Sequence, residues 1–358
     1  MKVHGWKAGD TDGQLARRCR TGDPRTSREW ATVVGAVAGL AVAGIALIHA
    51  VDLRQAALIV ATSDVRWLLV GAFLSFLSIA VTAAIWGVLL HQTESGIRWS
   101  WIAFWHGRTV AAGQVIPGGA AGDAVRIIAG RRVVPTSPAV ASTLATRLAG
   151  GLGLAVWGVV GAVLLRGSLG TSPLLAACAI TGLLLLASTL ILCGDLWVER
   201  LGRPRHGWGE RIHRQLAAVA SPMAGYRRDP WLVAQSALLG IASWALNLAA
   251  LTFLGRAVGV AVGWEVFAVL VPTTLTATLI PLSVNGIGVR EGILIALLGH
   301  AGVPMASAAA LAVLVDLQML PFAAAGGLLW LLPEPASHAA VPAGPPHLAP
   351  SAVAAAIS

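Results

Sequence analysis

The stretch PLSVNGIGVRE, residues 281–291, decides the fold of this chain. It places a proline, two glycines and an Arg-Glu pair in the middle of an otherwise apolar segment, Trp264–Gly302. Proline removes a backbone donor and glycine weakens a helix, so the two residue types interrupt a continuous helix. The segment is therefore predicted to form two half-helices joined by a turn.

A second copy of this stretch lies 164 residues earlier. Residues 116–126, IPGGAAGDAVR, are identical at five of eleven positions to residues 280–290, IPLSVNGIGVR. The earlier copy also interrupts an apolar segment, Trp101–Val134. The match predicts an internal repeat in which each unit contains one broken-helix hairpin.

A further correspondence follows each hairpin. Pro135 is followed twelve residues later by Arg147, and Pro304 is followed twelve residues later by Asp316. Both charged residues lie inside long apolar runs. Each unit is therefore predicted to end in a membrane span that carries one charge in its interior.

Composition sets the class of protein. Of the 358 residues, 56% are hydrophobic and 11% are charged, and the mean hydropathy is +0.77. Soluble domains average about 25% charged residues, so a water-soluble enzyme is excluded and a polytopic membrane protein is predicted. The predicted uninterrupted spans are about Ala31–Ala50, Trp67–Leu90, Ala139–Leu165, Leu174–Cys193, Trp231–Leu254 and Met305–Leu332.

The sequence lacks the residue patterns that several functional classes require. The three cysteines form no metal-binding or disulfide pattern, and Lys2 and Lys7 are the only lysines, so there is no phosphate-binding P-loop. The Gly-x-Gly of residues 286–288 lacks a third glycine and a preceding strand, which excludes a dinucleotide site. No cofactor, metal ligand or catalytic residue is predicted. The net charge of +9 indicates membrane orientation and no nucleic-acid partner.

Arginine distribution predicts the orientation. Residues 1–29 hold seven Lys/Arg and four acids, 91–138 five Arg and two acids, and 195–230 seven Arg and four acids. These segments are predicted to be cytoplasmic, as is the N-terminus. Residues 255–303 hold two Arg and are predicted to lie outside. Three spans then separate the hairpins, which would enter from opposite faces; the alternative is that Trp264–Leu282 spans fully and moves the C-terminal tail outside.

The predicted fold is an all-α polytopic transmembrane helix bundle with two inverted repeats, each containing a re-entrant broken-helix hairpin. A polar basic head, residues 1–29, precedes a membrane domain at 30–332. The repeat units cover about 31–165 and 173–332. The Ala/Pro-rich tail, 333–358, is predicted to be disordered.

At Pro281–Glu291 the sequence resembles the membrane region of lysylphosphatidylglycerol synthases and related stand-alone flippase-like proteins. The element that carries the resemblance is G-x-G-x-R-E at Gly286–Glu291. The first-half pattern is similar at Pro117–Asp123 with Arg126, and the resemblance covers about Ala31–Leu332. It implies lipid translocation in a bacterial inner membrane, or an accessory role in lipid or glycan export.

Two positions depart from the family pattern. The family has an acidic residue before the arginine of the first closing span, where this sequence has Thr146 before Arg147, and it often has arginine where this sequence has Asp316. The synthases add a soluble acyltransferase domain after the membrane region. This sequence stops at Ser358, so aminoacyl transfer is not expected of it.

Charged residues in the hairpins and closing spans are the candidate site. Arg126 and Arg290 are expected to hold a lipid phosphate, or alternatively to pair with Asp123 and Glu291. A charge in lipid costs roughly 2.5–3.5 kcal/mol, so the charges of the closing spans are expected to face a wet interior. The candidate substrate-binding residues are Arg126, Arg290, Arg147, Asp123, Glu291, Asp316, Pro117, Gly122, Pro281, Gly286 and Gly288.

Individual roles are also predicted. Arg147 is expected to attract anionic head groups, with Asp316 as its ion-pair partner or as a protonatable coupling group; a structural salt bridge is the alternative. Glu265 is expected to match the dipole at a half-helix N-terminus. His106 is expected to be an interfacial histidine; a proton relay is the alternative.

The predicted function is translocation of an anionic or phosphate-bearing lipid, a phospholipid or a polyprenyl-linked sugar. Movement would be passive, or coupled to protons through Asp123, Glu291 or Asp316. The predicted partners are membrane lipids with anionic head groups, and lipid or glycan biosynthesis enzymes. Two alternatives stay open: a membrane transferase that uses a lipid-linked donor, and a non-catalytic membrane partner of a lipid or glycan synthase.

Overall fold

The structure is a computed structural model that describes residues 53–115, 120–167, 171–200, 208–278 and 289–338. Within these ranges the chain is helical, and its only β-type pairing is an isolated antiparallel bridge between Ile97 and His338. Several predictions lie outside the described residues. They concern the first span, Ala31–Ala50, the head 1–29, and the turn residues Pro117, Pro281, Gly286 and Gly288.

The helices of these ranges follow one another with short connections. In chain order they are α1 (Leu53–Ala61), α2 (Val65–His91), α3 (Trp99–Val115), α4 (Ala120–Gly130), α5 (Thr136–Leu164), α6 (Thr171–Leu192), α7 (Gly194–Arg200), α8 (Trp208–Arg228), α9 (Pro230–Ala257), α10 (Trp264–Thr278), α11 (Val289–His300), α12 (Met305–Leu317) and α13 (Met319–Leu328), followed by the 3-10 turn Leu329–Leu331.

Four helical segments of the described chain are long and apolar enough to cross a membrane. They are Val65–His91, Thr136–Leu164, Pro230–Ala257 and Met305–Leu331, the last running through α12, α13 and the 3-10 turn. Each has 27 to 29 residues, which exceeds the roughly 20 that a bilayer requires. The prediction of an all-α polytopic membrane protein is confirmed.

Corresponding helices of the two predicted units begin with the same local chemistry. The side chain of Asp64 accepts a hydrogen bond from the backbone of Arg66 and caps α2. The side chain of Asp229, 165 residues later, accepts from the backbone of Trp231 and Leu232 and caps α9. Such capping satisfies backbone donors that have no partner within the helix. In the same way, Pro135 and Pro304 precede the closing helices α5 and α12.

Helices α2 and α9 pack against each other in opposite directions. Gly71, near the start of α2, contacts Leu254, near the end of α9, whereas Ser78 and Ser243 meet at the middle of both helices. Ser78 Oγ donates to the Ser243 carbonyl at 2.9 Å, and Ser243 Oγ donates to the Ser78 carbonyl at 3.2 Å. The two serines, 165 residues apart, are each the fourteenth residue of their helix. A reciprocal contact between equivalent residues is the geometry of a local two-fold relation.

The two interrupted segments each form a pair of short helices. In the first pair, Gly122 at the start of α4 contacts Thr109 in the second half of α3. Trp105, in the first half of α3, shares a cluster with Ala129 and Val134 at and beyond the end of α4. The pair is therefore antiparallel and returns to the end at which it begins. In the second pair, α10 and α11 pack together in the largest apolar cluster of the described residues.

Each pair of short helices packs against the closing helix of the other predicted unit. Gly107 of α3 contacts Leu329 and Gly326 after α12, and Gly158 of α5 contacts Pro272 of α10. These contacts correspond to each other under the predicted repeat, and they join the two predicted units. A hairpin cannot shift without moving the span of the opposite unit.

Backbone contact between α5 and α9 requires glycine. A Cβ added to Gly240 would overlap the Ala149 carbonyl, and one added to Gly153 would overlap the Gly240 backbone. Small residues allow such close approach between membrane helices. The junction holds the closing span of the first unit against the first span of the second.

The substitution Gly240→Ala is expected to lower the free energy of unfolding by about 1–3 kcal/mol, because the added methyl forces the two backbones apart. The control Gly182→Ala lies in α6, where an added Cβ meets nothing within 4 Å. It is expected to be neutral or to gain up to about 1 kcal/mol. Thermal unfolding of both variants in detergent tests this, and equal midpoints would show that the contact is not tight.

Candidate functional site

The first group of charges joins the first hairpin to its closing span. Asp123 of α4 accepts hydrogen bonds from Arg147 of α5, with Nε and Nη2 at 2.9 and 2.8 Å from Oδ2. The same carboxylate lies 3.7 Å from Arg126, one turn along α4. The Arg126 side chain is 7% exposed and that of Arg147 is 53% exposed. We refer to Asp123, Arg126 and Arg147 as the basic cluster.

The second group occupies the equivalent place in the second unit. Arg290 of α11 contacts Glu291 with Nε 3.0 Å from Oε1, and its Nη2 donates to Asp316 of α12. The Asp316 side chain is 42% exposed. We refer to Arg290, Glu291 and Asp316 as the acidic cluster.

Both clusters lie at mid-depth of their spans. Arg147 is the twelfth residue of α5, and Asp316 is the twelfth residue of α12. At a rise of 1.5 Å per residue, each lies about 16 Å from the start of its helix. This is half of the roughly 30 Å thickness of a hydrocarbon core, so the two charges occupy the same level.

The clusters have opposite charge balance. When all groups are ionised, two guanidinium groups and one carboxylate give the basic cluster +1, and one guanidinium group and two carboxylates give the acidic cluster −1. The basic cluster is therefore suited to an anion, and the acidic cluster to a cation or a proton.

The predicted partners are partly correct. Arg126 contacts Asp123 and Arg290 contacts Glu291, as the structural alternative predicted. The predicted pairing of Arg147 with Asp316 is wrong, because Arg147 binds Asp123 and Asp316 binds Arg290. The reason is that each closing span packs against the returning half-helix of its own unit, so its central charge meets that half-helix.

Three further predicted residues have definite places. Gly122 opens α4, where an added Cβ would lie 3.0 Å from the Thr109 carbonyl. Glu265 lies in the first turn of α10, as predicted. His106 is buried inside the bundle and bonds to the Ile79 backbone, so its predicted interfacial position is wrong. Its placement follows from α3 packing against the middle of α2.

A third group of charges was not identified from the sequence. Glu334, after the last span, accepts hydrogen bonds from Trp101 Nε1 at 2.7 Å and Trp105 Nε1 at 3.0 Å. Its second oxygen accepts from Arg132 Nη1 at 2.6 Å. The i, i+4 spacing of the two tryptophans was the available signal, since it places both indoles on one face of α3. We refer to these four residues as the Glu334 clamp.

An arginine reinforces the clamp. Arg108 of α3 lies over the rings of Phe104, Trp105 and Trp330 at 4.2 to 4.8 Å, a cation–π arrangement. It also donates to the Leu329 carbonyl at 2.9 Å. Together these contacts fix the end of the last span to the base of the first hairpin.

The clamp favours the ionised form of Glu334. Partial burial opposes ionisation, but the two indole donors and the positive charges of Arg132 and Arg108 outweigh it and lower the pKa of Glu334. Three donors converge on this carboxylate. It is therefore charged at neutral pH and holds the clamp closed.

Long apolar helices and ion pairs at mid-depth define this chain as a multi-pass α-helical integral membrane protein. The family model of the lysylphosphatidylglycerol synthase TM region matches residues 33–327. The chain belongs to that family, which confirms the resemblance seen at Pro281–Glu291. A comparison with curated proteins finds no match.

A pH dependence follows from the clamp. Because the pKa of Glu334 is lowered on folding, its stabilisation is present above the unfolded pKa, near 4.5, and is lost as pH falls through the folded value. At pH 7 the free energy of unfolding of Glu334→Gln is expected to be about 1–2 kcal/mol lower than that of the wild type. This difference in stability is expected to disappear at pH values below the pKa of Glu334 in the folded protein. Thermal unfolding between pH 7 and pH 3 measures it.

The control is Glu210→Gln, which removes an exposed pair with Arg214 one turn away in α8. Exposed pairs of this kind contribute about 0.3–0.5 kcal/mol. A constant difference between wild type and Glu334→Gln at every pH would contradict the role given to the carboxylate.

Proposed function

We propose that this protein translocates an anionic, phosphate-bearing lipid across the bilayer. The observation that carries the proposal is the basic cluster, which presents a half-exposed guanidinium group, Arg147, at mid-depth of an apolar span. Ionisable residues at this depth mark a polar path through the bundle. A guanidinium group matches phosphate with two parallel hydrogen bonds.

The proposed mechanism needs two units of opposite orientation. The antiparallel contact of α2 with α9, with its reciprocal bonds between Ser78 and Ser243, supports an inverted repeat, since equivalent helices then cross the membrane in opposite directions. In such repeats the binding site lies near the midplane, between discontinuous helices. The levels of Arg147 and Asp316 agree with that arrangement.

The Glu334 clamp supports re-entry of the second hairpin. The contact of Glu334 with Arg132 supports a position of the end of the last span on the same face as the base of the first hairpin. Between them lie α5, α9 and the α12–α13 span, together with α6, whose 22 residues we take as the crossing predicted at Leu174–Cys193, so the number of crossings is even. The α10–α11 segment then leaves on the face where it enters. This argues against the alternative in which Trp264–Leu282 spans fully.

The lengths of the half-helices agree with re-entry. Helix α10 has 15 residues and α11 has 12, which correspond to about 22 and 18 Å. Each described helix is shorter than a core of about 30 Å, and residues 279–288 between them lie outside the described part of the chain. With the arginine-rich segments 91–138 and 195–230 in the cytoplasm, the first hairpin opens inward and the second outward.

The basic cluster provides an exchange site for the head group. Asp123 accepts from Arg147 and lies next to Arg126, so an incoming lipid phosphate competes with this carboxylate for the same donors. The phosphate replaces Asp123 on Arg147 while the acyl chains stay in the bilayer. The acidic cluster, of opposite charge, then takes the proton or cation that accompanies the anion.

The substitution Arg147→Gln is expected to slow translocation of an anionic lipid by at least about tenfold, because a lost charge-assisted contact is worth about 1.5–3 kcal/mol. Arg147→Lys keeps the charge without the bidentate geometry, so its translocation rate is expected to lie between those of Arg147→Gln and the wild type. The assay follows dithionite quenching of a head-group-labelled anionic phospholipid in vesicles that contain the purified protein.

The matched control is Arg214→Gln, which removes an exposed arginine of α8 and should leave the rate unchanged. Wild-type protein that accelerates no head-group exchange, with or without a proton gradient, would refute the proposal. An Arg147→Gln variant as fast as wild type would refute the assigned site.

A further inference from the structure

Two neighbouring cavities lie where α8 turns into α9, and neither is lined by a residue of the two charged clusters. The first, of about 260 Å³, is lined mainly by polar and aromatic side chains from the end of α2, the start of α3 and the start of α9. The second, of about 200 Å³, lies between α5, α6 and α9 and is lined mainly by leucine and alanine. Leu232 lines both. We refer to them as the polar cavity and the apolar groove.

The polar cavity is suited to a cationic head group. Asp229 supplies a carboxylate, Gln92 and Gln235 supply amides, and Trp99 and Trp231 supply aromatic rings. Among the described residues that line it there is no lysine or arginine. An ammonium group is attracted both by the carboxylate and by aromatic faces.

The histidine of the polar cavity is already engaged. His91 Nδ1 lies 2.6 Å from the Gly87 carbonyl, and its Nε2 lies 2.8 Å from the Ile97 carbonyl. Its ring also stacks on Trp99 at 4.9 Å. His91 is therefore a structural wall of the cavity. Asp229 Oδ1 caps α9 by accepting from the backbone of Trp231 and Leu232, and this carboxylate also carries the formal charge of the cavity.

The apolar groove runs into the membrane core. On α5 its lining extends from Ala145 to Leu152, and on α6 from Leu185 to Leu192, each about 10 Å along the helix. This is one third of a core of about 30 Å. The groove is thus shaped for part of one hydrocarbon chain that enters from the membrane face.

A buried hydroxyl points to a ligand with a carbonyl. Ser236 lines the groove and is 7% exposed, yet its Oγ has no hydrogen-bond partner within the described part of the chain. Other buried hydroxyls of these spans, such as Thr146 and Thr252, bond to the carbonyl four residues earlier. A buried donor without a partner is costly, so the groove is suited to an occupant that accepts from Ser236.

A second hydroxyl lines the same groove. Tyr226, at the end of α8, is buried. Burial raises the pKa of Tyr226 to about 12, so the phenol keeps its proton and remains a donor at physiological pH. Its place beside Leu232 puts it near the junction of the groove with the polar cavity.

We propose that the two cavities bind one ammonium-bearing phospholipid, with its head group in the polar cavity, one acyl chain in the apolar groove and its ester carbonyl on Ser236. This site is separate from the proposed translocation site. The charge of the polar cavity also selects the opposite kind of lipid, since Asp229 favours an ammonium group and the basic cluster favours a phosphate anion.

Photolabelling of the full chain in lipid nanodiscs tests the site. The probe is phosphatidylethanolamine with a diazirine on its acyl chain, and adducts are mapped by mass spectrometry. We expect adducts concentrated on residues 185–192 and 233–237, with competition by unlabelled phosphatidylethanolamine and not by phosphatidylglycerol. Adducts spread evenly over lipid-facing residues, or equal competition by both lipids, would overturn the proposal.

Two variants and one control sharpen the test. Ser236→Trp fills the groove and should reduce these adducts by at least about tenfold, whereas Leu238→Trp changes a side chain on the same helix that is 64% exposed and should not. Asp229→Asn keeps a good helix cap but removes the charge, so the preference for phosphatidylethanolamine should disappear. Adducts that persist unchanged in both Ser236→Trp and Asp229→Asn would contradict the site.

The test is independent of translocation. Arg147→Gln should keep the adducts even where it abolishes lipid exchange. Adducts lost in Arg147→Gln and kept in Ser236→Trp would show that the probe reports the translocation site instead, which would refute the separate lipid site alone.

Discussion

The constraint on which this structure depends is the cost of holding charge at mid-depth of apolar spans. An isolated charge there costs roughly 2.5–3.5 kcal/mol, so Arg147 and Asp316 need partners at the same level. On its own, a continuous span offers each charge only the side chains that lie along the same helix. The short helices α4 and α11 provide these partners, because they bring Asp123 to Arg147 and Arg290 to Asp316. The charges of the closing spans are therefore stabilised by the helix that precedes each span.

Between the two predicted repeat units, the ion pairing of the closing span is the same but the sign of its central charge differs. Arg126 and Arg290 are equivalent and alike, whereas Arg147 and Asp316 are equivalent and opposite. Each closing charge still meets a counter-charge, since the first is held by Asp123 and the second by Arg290. Packing thus needs a complementary pair at each closing span. Packing does not fix the sign of the central charge of the closing span, so the two clusters can differ in the ligands that they favour.

Local patterns explain what was predictable. The spans follow from apolar runs, and the pairs Arg126–Asp123 and Arg290–Glu291 join residues at most three apart, so sequence distance alone brings them together. The partners of Arg147 and Asp316 depend on which helices pack side by side. The contacts of Glu334 join residues more than two hundred apart. Spacing located Arg147 and Asp316, but their partners and the contacts of Glu334 depend on tertiary packing and could not be predicted.

The two hairpins are held by different physical means. The Glu334 clamp binds α3 through Trp101 and Trp105, and Arg108 adds its cation–π contacts. The positions 165 residues later are Val266, Leu270 and Thr273, which offer no indole or guanidinium donor.

Helix α10 is instead held by apolar packing around Phe267 and Leu298, and Pro272 removes a backbone donor from its interior. Ion pairs and hydrogen bonds are directional and fix one geometry, whereas apolar contacts are non-directional. The first hairpin is therefore held by directional contacts near Glu334, and the second by apolar contacts that include Gly158 with Pro272.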